Sequence, residues 1–524
     1  MMITLMINGT NTTMSWQDFA TQLTQVDCST GRCSTAIATS GALNVAYLII
    51  CALLVLLMQA GFVMLEVGSV HVRATKHLLT KSLFECCITA VLFYCYAFTL
   101  AFVGGDDMFG YSGGFFLQGT FSALKEHATF DGFAEAFWFL HWAIACVCMS
   151  IVSGAVAGRI RFSATVLYTI LFTSLIYPVA VHWAWSSTGW ASPYRENPLF
   201  GTGVIDFAGS GVIHATGGIA ALMACVAMGP RDGRFDPYGE AIPTEFFTQR
   251  RLLSLGWHSI GTMFMWLGFL GLHLGSAWGL NAVNQVAIAR IAINSTLAAA
   301  VSGAFTLLWA KLWTFRVDRN KGIPFFEFYT SHLVYANNGF LGGLVSIAAG
   351  CATVEPEMAL VIGFFASVVY FFSSVEFLLY GLDDPVDAVP IHLMCGVWGL
   401  LAAGLFSTSD NYSDAYVGLE PSCGMFFSCN GNGLNQFAAN ALFLVVTVAW
   451  TSTLTALLFF PLQSLSLLRI TSDEERGLSF LEEFAGNKAD SIPSVFSLGN
   501  KYRFKSRTAP SHSHPHYTMM PQDS

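Results

Sequence analysis

Apolar runs of about 20 residues, the length needed to cross a bilayer, alternate with short polar links along most of this chain. Eleven such runs lie near residues 42–65, 83–104, 135–157, 163–185, 205–228, 253–276, 285–310, 332–352, 357–380, 388–407 and 437–468. Each is long enough to form a helix that satisfies its own backbone hydrogen bonds in lipid. Residues 1–40 are too polar for a typical signal peptide, and the first apolar run is long enough to span rather than be cleaved. The pattern predicts an all-α polytopic membrane protein. Its expected parts are an outer segment 1–41, a helical domain 42–468 and a polar tail 469–524.

Two pairs of segments match each other. DFAGSGVIHATGG (206–218) and DPVDAVPIHLMCG (384–396) share an Asp, an Ile-His eight residues later and a Gly four further on. GFVMLEVGS (61–69) and GFLGLHLGS (268–276) agree at Gly, Phe, Leu, Gly and Ser. Spans one to five, about 42–228, therefore read as repeated in spans six to ten, about 253–407. Five is odd, so the second copy enters the membrane from the opposite side. An inverted repeat of this kind puts a substrate path near the bilayer midplane. With each Asp near a membrane face, its histidine lies about 12 Å further along a helix, close to the midplane. The eleventh span has no counterpart and is expected to pack on the outside.

Composition agrees with lipid as the solvent. Of the 524 residues 54% are hydrophobic and 11% charged, with a mean hydropathy of +0.56; ordinary globular proteins carry about 25% charged residues. The net charge of −9 is less informative than its distribution. Links after odd-numbered spans, with the tail, hold Lys81, Arg159, Arg161, Arg231, Arg234, Lys311, Arg469 and most other basic residues, twenty of the 24 in all. Arg32, Lys125 and Arg195 lie on the other side, and Arg290 falls inside a span. The positive-inside rule then places the N-terminus outside and the C-terminus in the cytoplasm. No basic domain, zinc-type spacing or phosphate-cradling loop supports a nucleic-acid or nucleotide reading. Most of the 13 cysteines sit singly in apolar runs, as small hydrophobes do. Cys28, Cys33, Cys423 and Cys429 lie in polar segments, where disulfides could form if those are extracellular. Asn8 and Asn11 stand in glycosylation sequons on the outer side. SHSHPH (511–516) reads as part of a disordered tail.

Ionisable groups inside a membrane are costly and default to function. Two neutral imidazoles at one depth, His214 and His392, can share a hydrogen bond and leave their other nitrogens to a small polar solute. Burial disfavours a charge on either ring, and a second charge beside the first more so. Carrying a small cation intact through the bilayer centre would cost on the order of 20 kcal/mol. Removing a proton from an amine-type acid of pKa about 9 costs about 3 kcal/mol at neutral pH. Such a pore suits a weak base that is cationic in water and neutral in transit, with the histidines as proton partner.

At this point the chain resembles the ammonium transporter family (Amt, Mep and Rh proteins), closest to the plant-type branch. The resemblance covers roughly 42–480. Its motifs are MQAGFVMLEVGS (58–69), YPVAVHWAW (177–185), GTGVIDFAGSGVIH (201–214), GCATVEP (350–356) and DDPVDAVPIH (383–392). It implies an eleven-span homotrimer, with one ammonium or ammonia pore per subunit, in the plasma membrane. By the resemblance, His214 and His392 match the pore histidines, and Trp185 and Ser276 match the outer recruitment site, which Asp206 structures; read by themselves, Asp206 is equally a helix-capping or structural carboxylate and Trp185 alternatively an interfacial anchor. The usual gate phenylalanines are replaced by Ile144 and Leu272. His141 stands for the usual Gln and His273 for the usual Asn, either as added proton acceptors or as hydrogen-bonded helix residues. LLRI (467–470) and DEERGL (473–478) resemble the start of the regulatory tail, which then diverges, so control by a cytoplasmic regulator stays open. Glu66, Asp383, Asp384 and Asp387 are expected at cytoplasmic helix ends. The resemblance implies ammonium and methylammonium as substrates, and the residues show no paired nucleophile and base, no metal cluster and no cofactor site. The alternatives are an electroneutral gas channel and an ammonium sensor with little flux.

Overall fold

The computed structural model describes residues 2–7, 10–15, 32–70, 74–111, 116, 132–232, 234–235, 251–280, 285–317, 325–427 and 433–476. Among them, eleven long helices follow one another: α1 (Arg32–Ser69), α2 (Thr75–Phe102), α3 (Phe133–Ala155), α4 (Phe162–Trp185), α5 (Ser210–Met228), α6 (Arg251–Gly275), α7 (Gln285–Val317), α8 (Phe325–Ile347), α9 (Pro356–Leu379), α10 (Val389–Phe406) and α11 (Gly433–Ser464). Nine of these are long and apolar enough to cross a membrane, judged on the described residues. The other two, α6 and α8, have 25 and 23 residues and match the sixth and eighth apolar runs. Outside the helical domain, the outer segment contains a hairpin. Met2–Ile7 (β1) and Thr10–Ser15 (β2) pair as an antiparallel hairpin, so Asn11 lies on a strand; Asn8 lies outside the described residues.

Four helices contain a π-helical turn: Phe93–Ala97 in α2, Phe172–Ile176 in α4, Ser210–Ala215 opening α5 and Val389–Met394 opening α10. In α4 the turn directly precedes Pro178, whose missing N–H and bulky ring forbid a regular ladder there. In α10 Pro390 lies inside the turn. The turns of α2 and α4 carry or adjoin side chains that meet across the two helices. Thr89 and Thr173 hydroxyls are 3.3 Å apart, and the Tyr96 hydroxyl bonds to Ser174.

The repeated motifs pack on each other with matching geometry. A Cβ on Gly61 of α1 would meet Met265 Cγ at 2.6 Å and Gly261 O at 2.9 Å. A Cβ on Gly268 of α6 would meet the corresponding atoms, Met58 Cγ at 2.1 Å and Leu54 O at 3.0 Å. The same exchange holds between α5 and α10. A Cβ on Gly218 would lie 2.3 Å from Leu393 N, and one on Gly396 would lie 3.0 Å from Ala215 N. Each glycine stands four residues after a histidine and admits the backbone that follows the other histidine.

α11 packs on α5, α10 and α4 and exposes Leu434, Val445 and Leu457. Its inner edge is polar for a structural reason. Asn440 bonds Ile205 N, Ile205 O and Leu400 O, and Gln436 bonds Gly203 O. It thereby fixes the extended strand of chain that enters α5. The tail features beyond residue 476 lie outside the described residues.

Candidate functional site

The histidine pair is set by the openings of α5 and α10. Asp206 does not lie on the helix of its histidine, as a regular rise of about 12 Å required. It precedes the first helical residue, Ser210, and caps the helix from outside. Its Oδ2 accepts from the Gly211 and Val212 amides at 3.0 and 2.7 Å. Asp384 does the same for α10, accepting from Val389 N at 2.7 Å. These carboxylates satisfy the orphan amides of a helix N-terminus, and favourably meet its dipole. Burial, together with the charge of the neighbouring Asp387, pushes the Asp384 carboxyl up to about 7.

His214 and His392 then meet. Their Nδ1 atoms are 3.2 Å apart, and the rings stack with centroids 5.2 Å apart at 22°. Both are buried, His214 completely. A contact between two Nδ1 atoms requires one ring to carry its proton there and the other to accept. The donating ring therefore offers an Nε2 lone pair and the accepting ring an Nε2–H. His214 Nε2 has no partner among the described residues. Two phenylalanines flank the pair. Phe62 of α1 lies 6.0 Å from His392, and its repeat counterpart Phe269 of α6 lies 5.3 Å from His214.

Beyond Phe269, on the side of Asp206, lie the remaining residues expected at the outer end. The Trp185 indole donates to Asp206 O at 2.7 Å. Ser276 Oγ donates to Leu272 O at 2.9 Å, which leaves its lone pairs as acceptors. Both side chains keep a little exposure, 8% for Trp185 and 9% for Ser276, where Asp206 has 1%. Asp206 thus acts through the backbone, while Trp185 and Ser276 retain an open edge. Ile144, one helical turn after His141 on α3, and Leu272 on α6 are both buried.

The two extra histidines differ. His273 Nδ1 is tied to Ser295 Oγ at 2.8 Å. Neither nitrogen of His141 has a hydrogen-bond partner among the described residues. That ring sits among Phe102 and Phe137 at 4.3 and 4.2 Å, and Trp185 and Trp278 at 6.0 and 6.3 Å. Trp278 was not legible as a site residue. Its φ of 57° turns the chain back after Ser276 and stacks it on Tyr194, 5.5 Å away. The GSAWG run around it was the available signal.

The carboxylates expected at cytoplasmic helix ends take different partners. Glu66 pairs with Lys81 at 3.3 Å, both side chains being buried. Lys81 is accordingly not a charge in a link but a residue inside α2. Asp383 pairs with Arg231 at 2.7 Å and also with Arg159 and Arg234. Asp387 accepts from Tyr370 Oη, Ser374 Oγ and Asn338 Nδ2. Arg290, the expected intramembrane charge, pairs with Asp414 at 2.8 Å. Cys423 is disulfide-bonded. Nine other described cysteines are free, six of them buried, as small apolar residues are. No group of three or more potential metal ligands occurs among the described residues.

Comparison with known proteins places this geometry in a family. The sequence profile of the Ammonium Transporter Family matches residues 46–484. Ammonium transporter 1 member 3 of Solanum lycopersicum is 33% identical over 451 residues, 84% of this chain and 91% of that protein. Ammonium transporter 3 of Dictyostelium discoideum is 32% identical over 426 residues, 80% and 88% of the two chains. A solved structure titled Sensor Amt Protein superposes with a TM-score of 0.69 at 26% identity, covering 85% of this chain and 99% of that one. Mep2 of Candida albicans shares the fold, with a TM-score of 0.67 at 22% identity over 83% and 87% of the chains. The apolar helices, the paired helix openings and these likenesses together make the chain an integral membrane protein and a member of the ammonium transporter family, whose members are transporters and not enzymes.

Proposed function

We propose that this protein moves ammonium across a membrane by recruiting the cation at Trp185 and Ser276, removing its proton and passing neutral ammonia by His214 and His392. The observation that carries the reading is the buried 3.2 Å contact between the two imidazoles. It puts a proton donor and a proton acceptor side by side where a free cation is most costly. Ring faces and a hydroxyl lone pair suit ammonium at the outer end. Asp206 holds the Trp185 indole through its own carbonyl. Ile144 and Leu272 exclude water without offering an aromatic face, and His141 is an added acceptor at that end. Methylammonium is expected to follow the same route.

The reading extends to topology and assembly. α6 and α8 join the nine other spans, giving eleven, with the N-terminus outside and the C-terminus in the cytoplasm. Residues 42–468 form the transport domain, 1–41 an outer segment and 469–524 the tail. The disulfide at Cys423 fits an oxidising outer side. A homotrimer in the plasma membrane, glycosylation at Asn8 or Asn11 and a cytoplasmic regulator of the tail belong to the same reading.

The test is an ammonium concentration jump on proteoliposomes, with current and luminal pH recorded. A saturable current absent from empty liposomes supports coupled movement of ammonia and a proton. Faster alkalinisation without current would make it a channel for neutral ammonia. In His214→Ala and His392→Ala, selective movement is lost; unchanged flux and selectivity in both would sink the proton-partner mechanism. The likeness to the Sensor Amt Protein favours one second reading, an ammonium sensor. Binding without current or pH change would select it.

A further inference from the structure

Phe62 and Phe269 are equivalent in the repeat, and so are the residues one turn beyond them, Glu66 and His273. His273 lies on the outer side of the histidine pair, and Glu66 on the opposite side. Glu66 lines a small cavity that also touches Phe62, Ser150, Gly154, Val386 and His392. The cavity is therefore lined by both an imidazole and a carboxylate.

Behind Glu66 the buried charges do not balance. Lys81 Nζ lies 3.3 Å from Glu66 Oε2 and donates to Ser153 O at 2.9 Å. Glu85 stands one helical turn after Lys81 on α2 and so lies on the same face of that helix. Glu66, Lys81 and Glu85 have 1%, 0% and 3% exposure. Neither Glu85 oxygen has a directed hydrogen bond among the described residues, nor has Glu66 Oε2. Among the described residues, the other titratable groups facing the cluster are His77 and Cys86 on α2, Cys146 on α3, Tyr168 on α4 and, across the cavity, His392 on α10, with no further Lys or Arg among them. Two carboxylates around one ammonium are neutral only with one proton added, and an uncompensated buried charge costs several kcal/mol.

We propose that Glu66, Lys81 and Glu85 form a proton-binding site beside the cavity that His392 also lines. It rests on the transport reading above. A proton passes from the imidazolium N–H of His392 to the Glu66–Glu85 carboxylates. When neutral ammonia arrives, the carboxyl O–H breaks, a fourth N–H bond forms and ammonium leaves with the carboxylate behind it. Lys81 holds the two carboxylates together.

The test uses the full-length protein, with Glu66→Gln, Glu85→Gln and the double variant, which keep shape and remove the proton site. Infrared difference spectra over a pH titration should show a protonated-carboxyl band in the parent protein that the double variant lacks. In proteoliposomes, the charge moved per labelled methylammonium taken up should be lost in the double variant while uptake of the label continues. A band unchanged in the double variant overturns the site, and an unchanged charge-to-uptake ratio overturns its role. If the parent protein moves neither label nor charge, the transport reading fails instead, while the infrared band still reports on the site.

Discussion

Gly218 offers the sharpest test of how the histidine pair is held. A Cβ at this position would lie 2.3 Å from Leu393 N and 2.6 Å from Leu393 Cα, both backbone atoms. Ordinary contact begins at 3.4 Å, so in Gly218→Ala the backbone of α10 must retreat by about 1.1 Å (3.4 − 2.3). Leu393 is the next residue after His392. A retreat of that size takes the 3.2 Å contact between the imidazoles beyond hydrogen-bond range. Overpacking of this kind costs about 1–3 kcal/mol, and a displacement near 1 Å at a reacting group can cost on the order of 10²-fold in rate. The assay is methylammonium uptake into proteoliposomes, with melting temperature measured on the same preparation. Gly256→Ala is the control. It lies on α6 with nothing within 4 Å of its added Cβ, and should gain about 0.5–1 kcal/mol of stability with uptake intact. Full uptake and an unchanged melting temperature in Gly218→Ala would refute the claim that this glycine sets the pair.

Other expectations concern the charged inner face and the gate. Burial opposes ionisation of Asp383, but hydrogen bonds from Arg231 and the charges of Arg231 and Arg159 outweigh it and hold the carboxyl well below its ordinary range. Its stabilising contribution is therefore present above about pH 4 and lost as pH falls through the lowered native value. Asp383→Asn should cost about 3–5 kcal/mol at neutral pH, with the melting-temperature gap from the parent closing in acid; a gap constant with pH would contradict the ion-pair account. Lys81→Met, which strands two buried carboxylates, should lower the melting temperature by more than Glu66→Gln does, and equal stability of the two would argue against a shared cluster. Leu272→Phe should change apparent affinity or rate while uptake continues, and complete loss of uptake would contradict a gate role for this position.

The sequence alone determined the membrane class and the family. Both rest on local facts: apolar runs of spanning length, and ordered motifs such as DFAGSGVIH and DDPVDAVPIH that chance does not assemble. Internal repetition also marked His214 and His392, because related helices repeat their residue pattern even when they run in opposite directions. The tertiary structure alone decided which polar residues share a partner. Lys81 reads as a link residue by its place next to Arg73 and Lys76, yet it pairs with Glu66 across two helices. A charge inside lipid is legible only once its counter-charge is known, and that partner is fixed by packing. The π-helical openings of α5 and α10 were equally hidden, since nothing in local propensity separates a π-turn from an α-turn there. They follow from the Asp206 and Asp384 caps and from the backbone approach that Gly218 and Gly396 permit. The same holds for Trp278, whose place beside His141 depends on a reversal after Ser276. Periodicity says which faces are apolar. Only the crossing of helices from two repeats says which atoms meet.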